Sequence, residues 1–214
     1  MEYIKNPLEI ERLSMEIIEG RLHGFTFTEL QKPVVKRVVH TTGDSTFAAL
    51  IAFGEQAVDA GTAALLAGEP LFCDVEMARS GLSRIGLQTL GIEPACLIHD
   101  AAIAKGAKEL GTTRAVAAMT HALNICPTGG IFVIGNAPTA LFKLLEVVQA
   151  GQAKPSLIIG TPVGFVGAAE SKELLTSFAI PWITIRGEKG GSTIAAAIVN
   201  ALVRLALTQK EAAV

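Results

Sequence analysis

The chain is poor in the residues that staple small proteins together: 214 residues hold three cysteines, one tryptophan and one tyrosine. Cys73, Cys96 and Cys126 are odd in number, far apart and in apolar settings. That excludes a disulfide framework, and without Cys-x-x-Cys spacing they read as buried free thiols rather than as a zinc or redox centre. Charged residues make up only 18% of the chain, with a formal net charge of -2. No basic tract interleaved with aromatics occurs, so a general nucleic-acid binder is excluded. The opening MEYIKNPLEIERLS has no apolar core of a secretory signal, which points to the cytoplasm. The most apolar stretches, SLIIGTPVGFVGAA and IAAAIVNALVRLAL, are interrupted by Gly, Pro, Asn or Arg. They break before the roughly eighteen residues that a membrane span needs, so no membrane partner is expected. Metal-ligand clusters and dinucleotide fingerprints are also lacking, so neither a cofactor nor a protein-bound metal is expected.

What is present is a composition suited to a compact interior. Half the residues are hydrophobic, with 21 glycines and many alanines. A chain of this length buries roughly seventy per cent of its unfolded surface, and a single domain over residues 1–214 accounts for it. The first seventy residues read as helices. One runs from about Pro7 to Arg21 with Asn6 as cap, and a second from Thr28 to His40 with a stripe of Val34, Val35, Val38 and Val39. Shorter ones run from Ser45 to Phe53 and from Glu55 to Leu66. From Pro70 the pattern changes. PLFCDV, ACLIHD, GIFVIG, SLIIG and PWITIR are strand-length apolar runs separated by helical stretches, the last from about Ser192 to Leu207. Continuous apolar strands alternating with helices predict an α/β three-layer sandwich. Its sheet is five-stranded, mainly parallel and flavodoxin-like, with the N-terminal helical segment outside it.

In such sheets ligands lie beyond the C-terminal ends of the strands. Two Gly/Pro-rich loops follow strands there: GNAPTAL from Gly135 and GTPVGFVGAAESK from Gly160. Each opens a helix, whose first N–H groups and positive dipole end suit a carboxylate or phosphate. Gly135, Asn136, Ala137 and Thr139 in the first loop, and Val163, Gly164 and Gly167 in the second, are therefore candidate ligand contacts. The alternative is ordinary turn geometry and close helix–sheet packing. His40 ends its helix in KRVVHTTGD, where a histidine can simply complement the helix dipole. Arg114, in GTTRAVAAM, sits at a helix start that disfavours its charge and so asks for an anionic partner. Ser83 and Arg84, in EMARSGLSRIG, follow the first apolar strand. Lys172, Arg186 and Lys189 can add positive charge at the rim.

GNAPTAL, PVGFVGAAESK and RGEKGGS (from Arg186), in this order, resemble the precorrin-8X methylmutase family of corrin biosynthesis. The resemblance runs from Ser14 to Ser192. It implies an isomerase that moves a methyl group between adjacent carbons of ring C in a corrin precursor, with no cofactor, and a homodimer with its sites near the interface. It further implies His40 as the catalytic residue, from a Val-His pair after a basic residue. Ser14, Ser83, Arg114 and the two glycine loops are then implied as substrate contacts, with Ser83 standing where relatives often have threonine. The rival reading of the same loops is a non-catalytic module that holds a tetrapyrrole or nucleotide for delivery. A phosphate-ester enzyme lacks its carboxylate or metal cluster.

Overall fold

The computed structural model describes residues 3–212. The first helix, α1 (Pro7–Arg21), starts where Asn6 accepts the N–H groups of Leu8 and Glu9, with Pro7 in the first turn. The second, α2 (Gln31–Thr42), begins three residues later than the sequence suggests. Thr28 and Gln31 form a reciprocal capping box ahead of it, each side chain taking the other's N–H. Gly43, at φ 65°, closes the helix through its N–H on the Val39 carbonyl.

The stretch read as one helix from Ser45 to Phe53 is a four-residue α3 (Phe47–Leu50) and then a strand, β1 (Ile51–Phe53). Three residues are too few to carry a period, and what makes them a strand is antiparallel pairing with a partner far along the chain. After α4 (Ala57–Leu66), all five expected runs form strands. They are β2 (Leu71–Cys73), β3 (Ala95–Cys96), β4 (Ile131–Ile134), β5 (Leu157–Gly160) and β6 (Trp182–Ile185). Between them lie α5 (Glu76–Ser80), α6 (Arg84–Thr89), α7 (Ala101–Glu109), α8 (Arg114–Ile125), α9 (Pro138–Gln149) and α10 (Ala168–Thr176), and α11 (Ser192–Ala212) ends the chain. The sheet therefore has six strands rather than five, in the order β1-β6-β5-β4-β2-β3, parallel except for β1.

The strands are apolar throughout because both faces of the sheet are covered. Ile131 and Val133 of β4 and Leu157 and Ile159 of β5 face a core built with the valines of α2, Leu65 of α4 and Ile198 and Leu202 of α11. Phe132, Ile134 and Ile158 face the opposite core, with Met119 and Leu123 of α8 and Leu141, Leu144 and Leu145 of α9. The longest helix, α11, reaches a length and apolarity that the sequence reading did not grant it, sufficient by composition to cross a membrane. It is instead a core helix packed on α2, α4 and the sheet. Ile198→Ala, at a fully buried position, should cost about 2–5 kcal/mol of unfolding free energy in urea titration. An unchanged midpoint would refute the core assignment.

Candidate active site

At the C-terminal end of β2 stands Asp74, only 2% exposed. One carboxylate oxygen accepts the N–H of Gly135 at 3.0 Å, and the other those of Asn136 and Ala137 at 2.8 and 2.7 Å. Burial pushes the Asp74 carboxyl above its ordinary value, against these donors, which pull it down. The expectation that GNAPTAL offers unpaired N–H groups is thereby corrected: a carboxylate of the chain itself already fills the mouth of α9. What this loop leaves exposed is the side chains of Asn136 and Thr139. Gly135 has a separate reason to lack a side chain, because a Cβ there would lie 2.7 Å from the Ser192 Cα at the start of α11.

The other two loops lock onto each other. Gly191 donates its N–H to the Thr161 carbonyl at 2.7 Å, and Gly164 to the Glu188 carbonyl at 3.1 Å. Gly190 lies so close that a Cβ would sit 2.3 Å from the Thr161 oxygen. Gly167 brings the second loop against the first, its missing Cβ facing Phe142 and Pro138 of α9 at 3.3 and 3.5 Å. Between the glycines, Phe165 and Val166 are 86% and 89% exposed, and Val163 is exposed beside them. Lys172 is not at the rim, as the sequence suggests, but buried in α10, where its ammonium donates to the Lys189 carbonyl at 2.6 Å. Burial lowers its pKa to about 8.

The remaining candidates fall around this rim. Arg114 opens α8 with its side chain exposed, and its neighbour Thr113 meets Thr139 of α9, Oγ1 to Oγ1, at 3.3 Å. Arg114 and GNAPTAL thus share one corner. His40 is exposed in the last turn of α2 and has no hydrogen-bond partner among the described residues. It stands beside Arg37, since residues three apart are neighbours on a helix. Arg37 and Thr41 line a groove of about 520 Å³ with Ser83, Thr193 and Asn200. Ser83 caps α6 through Gly86, and its own N–H donates to Asn200 of α11 at 2.7 Å. Arg84 faces elsewhere, into a separate 320 Å³ cavity lined by Arg79, Gln88 and Glu93. Ser14, on α1, turns its hydroxyl back to the Ile10 carbonyl at 2.7 Å. Asp74, Thr113 and Asn200 were not anticipated. Of these only Asp74 left a signal, an acidic residue closing an apolar strand run.

Residues 9–205 match the family model described as Precorrin-8X methylmutase. The chain belongs to that family. It is 42% identical to the cobalt-precorrin-8 methylmutase of Priestia megaterium over 94% of this chain and 88% of that protein. To the precorrin-8X methylmutase of Pseudomonas aeruginosa it is 43% identical, over 94% and 97%. A crystal structure of the precorrin-8X methylmutase from Thermus thermophilus superimposes with a TM-score of 0.86 at 37% identity, covering 94% of this chain and 98% of that one.

In this methylmutase-family chain the buried Lys172 has a measurable signature. Its folded-state pKa of about 8 lies below the ordinary 10.5, so between those values the unfolded chain holds a proton that the folded chain has released. Stability therefore rises with pH across that window, by about 3 kcal/mol in all. Lys172→Met should lose this rise, read as the difference between urea-unfolding free energies of the two proteins from pH 8 to 10.5. Parallel pH profiles would refute it.

Proposed function

We propose that this chain is an isomerase of cobalamin biosynthesis that moves a methyl group between adjacent ring C carbons of precorrin-8X, or of its cobalt-containing counterpart, to give hydrogenobyrinate or cobyrinate. The observation that carries the reading is an exposed imidazole, His40, with no hydrogen-bond partner among the described residues, on the helix whose Arg37 and Thr41 line a groove in a chain of this family. The methyl shift breaks one carbon–carbon bond and forms another on the neighbouring ring carbon, with no net change in oxidation state. The protein has to orient the macrocycle and polarise it. His40 does the latter by protonating, or donating a hydrogen bond to, a ring nitrogen, which redistributes charge in the conjugated system toward the migrated isomer. Imidazole suits this because its ring can both give and take a proton.

The five parallel strands alone, in the order β3-β2-β4-β5-β6, follow a flavodoxin-like plan whose switch point lies between β2 and β4. Asp74 occupies that point, so the substrate lies farther out, over the rim. Arg114 and Thr139 reach it from one side and His40, Ser83 and the start of α11 from the other, while Val163, Gly164 and Gly167 face the ring. Ser14 and Arg84 reach the same ligand only across a subunit boundary, consistent with a homodimer. Leu8, Ile85, Phe165 and Val166, each more than three-quarters exposed, supply apolar surface for such a contact. The chain acts as one domain and works in the cytoplasm. The corrinoid's acetates and propionates are held locally by side chains, since the protein as a whole carries a net charge of -2.

His40→Ala should lower conversion at least about a hundredfold while leaving corrinoid binding intact. The assay follows the visible spectrum with both metal-free and cobalt-containing substrate, and NMR identifies the product. Wild-type turnover in that variant removes His40 from the mechanism. Arg114→Ala should instead weaken binding roughly ten- to a hundredfold, as loss of a charge-assisted hydrogen bond does. A spectrophotometric titration with unchanged affinity would refute its role.

A further inference from the structure

The α2 helix that carries His40 buries Val34, Val35, Val38 and, in its last turn, Val39 in the core. The chain leaves α2 at Gly43, and the next residues are gripped from outside. The Lys189 ammonium lies 3.4 Å from the Asp44 carboxylate and 3.5 Å from the Thr46 hydroxyl. It also sits 5.1 Å from the centre of the Phe47 ring. Asp44 is organised for this, because its other oxygen accepts the Thr46 N–H at 2.8 Å. The backbone of Lys189 is fixed in turn. Its carbonyl takes the buried Lys172 ammonium, and Glu188 before it and Gly191 two residues after it are bonded to Gly164 and Thr161 of the glycine loop. One residue thus joins the loop that bounds the site to the segment that ends the His40 helix.

We propose that Lys189 is a positioning residue for His40: anchored through its carbonyl to α10, it uses its side chain to hold the end of α2 at a set distance from the glycine loops. The inference rests on the reading of His40 as the catalytic group. An ion pair whose side chains are 54% and 37% exposed adds little to global stability. Its effect therefore falls on geometry, and geometry is what a proton-donating imidazole needs, since a displacement of about 1 Å can cost up to a hundredfold in rate.

The test compares Lys189→Ala and Lys189→Arg with wild type in steady-state conversion and in NMR spectra of the histidine ring protons, the His40 signal being assigned by its loss in His40→Ala. We expect Lys189→Ala to lower kcat about tenfold, with KM within about twofold, and to shift the His40 resonance. The melting temperature should stay at the wild-type value. Arginine keeps the charge for Asp44 and the stacking on Phe47, so Lys189→Arg should recover most of the rate. An unmoved His40 resonance overturns the proposal. So does a raised KM with kcat kept, which would make Lys189 a direct substrate contact. Should His40→Ala itself turn over normally, the catalytic reading fails alone, and the resonance still decides whether Lys189 positions the ring.

Discussion

A buried carboxylate fixes the geometry on which the rest of this site depends. Asp74 ends the first parallel strand, β2, and takes the three N–H groups with which the loop after β4 enters α9. The two strands are neighbours in the sheet although some sixty residues separate them in sequence, and between them the strand order reverses. Elsewhere such a crevice receives the ligand's anion. Here the chain supplies its own. The desolvation cost of the carboxylate is partly offset by the helix dipole and by charge-assisted hydrogen bonds, and a loop rich in glycine and proline acquires a single conformation.

With the crevice filled, the exposed polar groups lie farther out, at the rim, where three loops and the ends of two helices meet. Their contacts are mutual. Gly167 packs on α9, Gly191 and Gly164 bridge the second and third loops, and Gly135 admits the start of α11. The glycines serve chiefly to let backbone approach backbone. A rim assembled this way is rigid where it touches the sheet and open above, and it leaves Asn136, Thr139, Arg114 and His40 as exposed polar groups on a preorganised base. On the proposed reading, a large substrate with many carboxylates is met there by scattered side chains rather than by one deep anion hole.

The legible parts of the fold were those set by local chemistry. Asn6–Pro7 marks the start of α1, and the continuous apolar runs give β2 to β6, whose alternate residues belong to different cores. The illegible parts depend on partners far away. Ile51–Phe53 becomes a strand through Ile183–Ile185. α11 runs past Leu207, where the expected helix ends, to Ala212, and Asn200 and Arg204, which interrupt its apolar run, face the groove side of a helix whose other side is core. Lys172 looks like a surface charge, and only the fold places an acceptor carbonyl beside it.

Sequence alone determined the class of architecture and the family, because periodicity, caps and ordered motifs are properties of contiguous residues. It also singled out His40 and the glycine loops. Tertiary structure decided what those groups face. Asp74 consumes the donors of GNAPTAL, Arg84 and Ser83 line different cavities despite being adjacent, and Lys189 reaches the end of the His40 helix across more than a hundred residues. Each is a pairing of atoms distant in the chain, set by how the helices pack on the sheet, and no local pattern encodes which partner a side chain will meet.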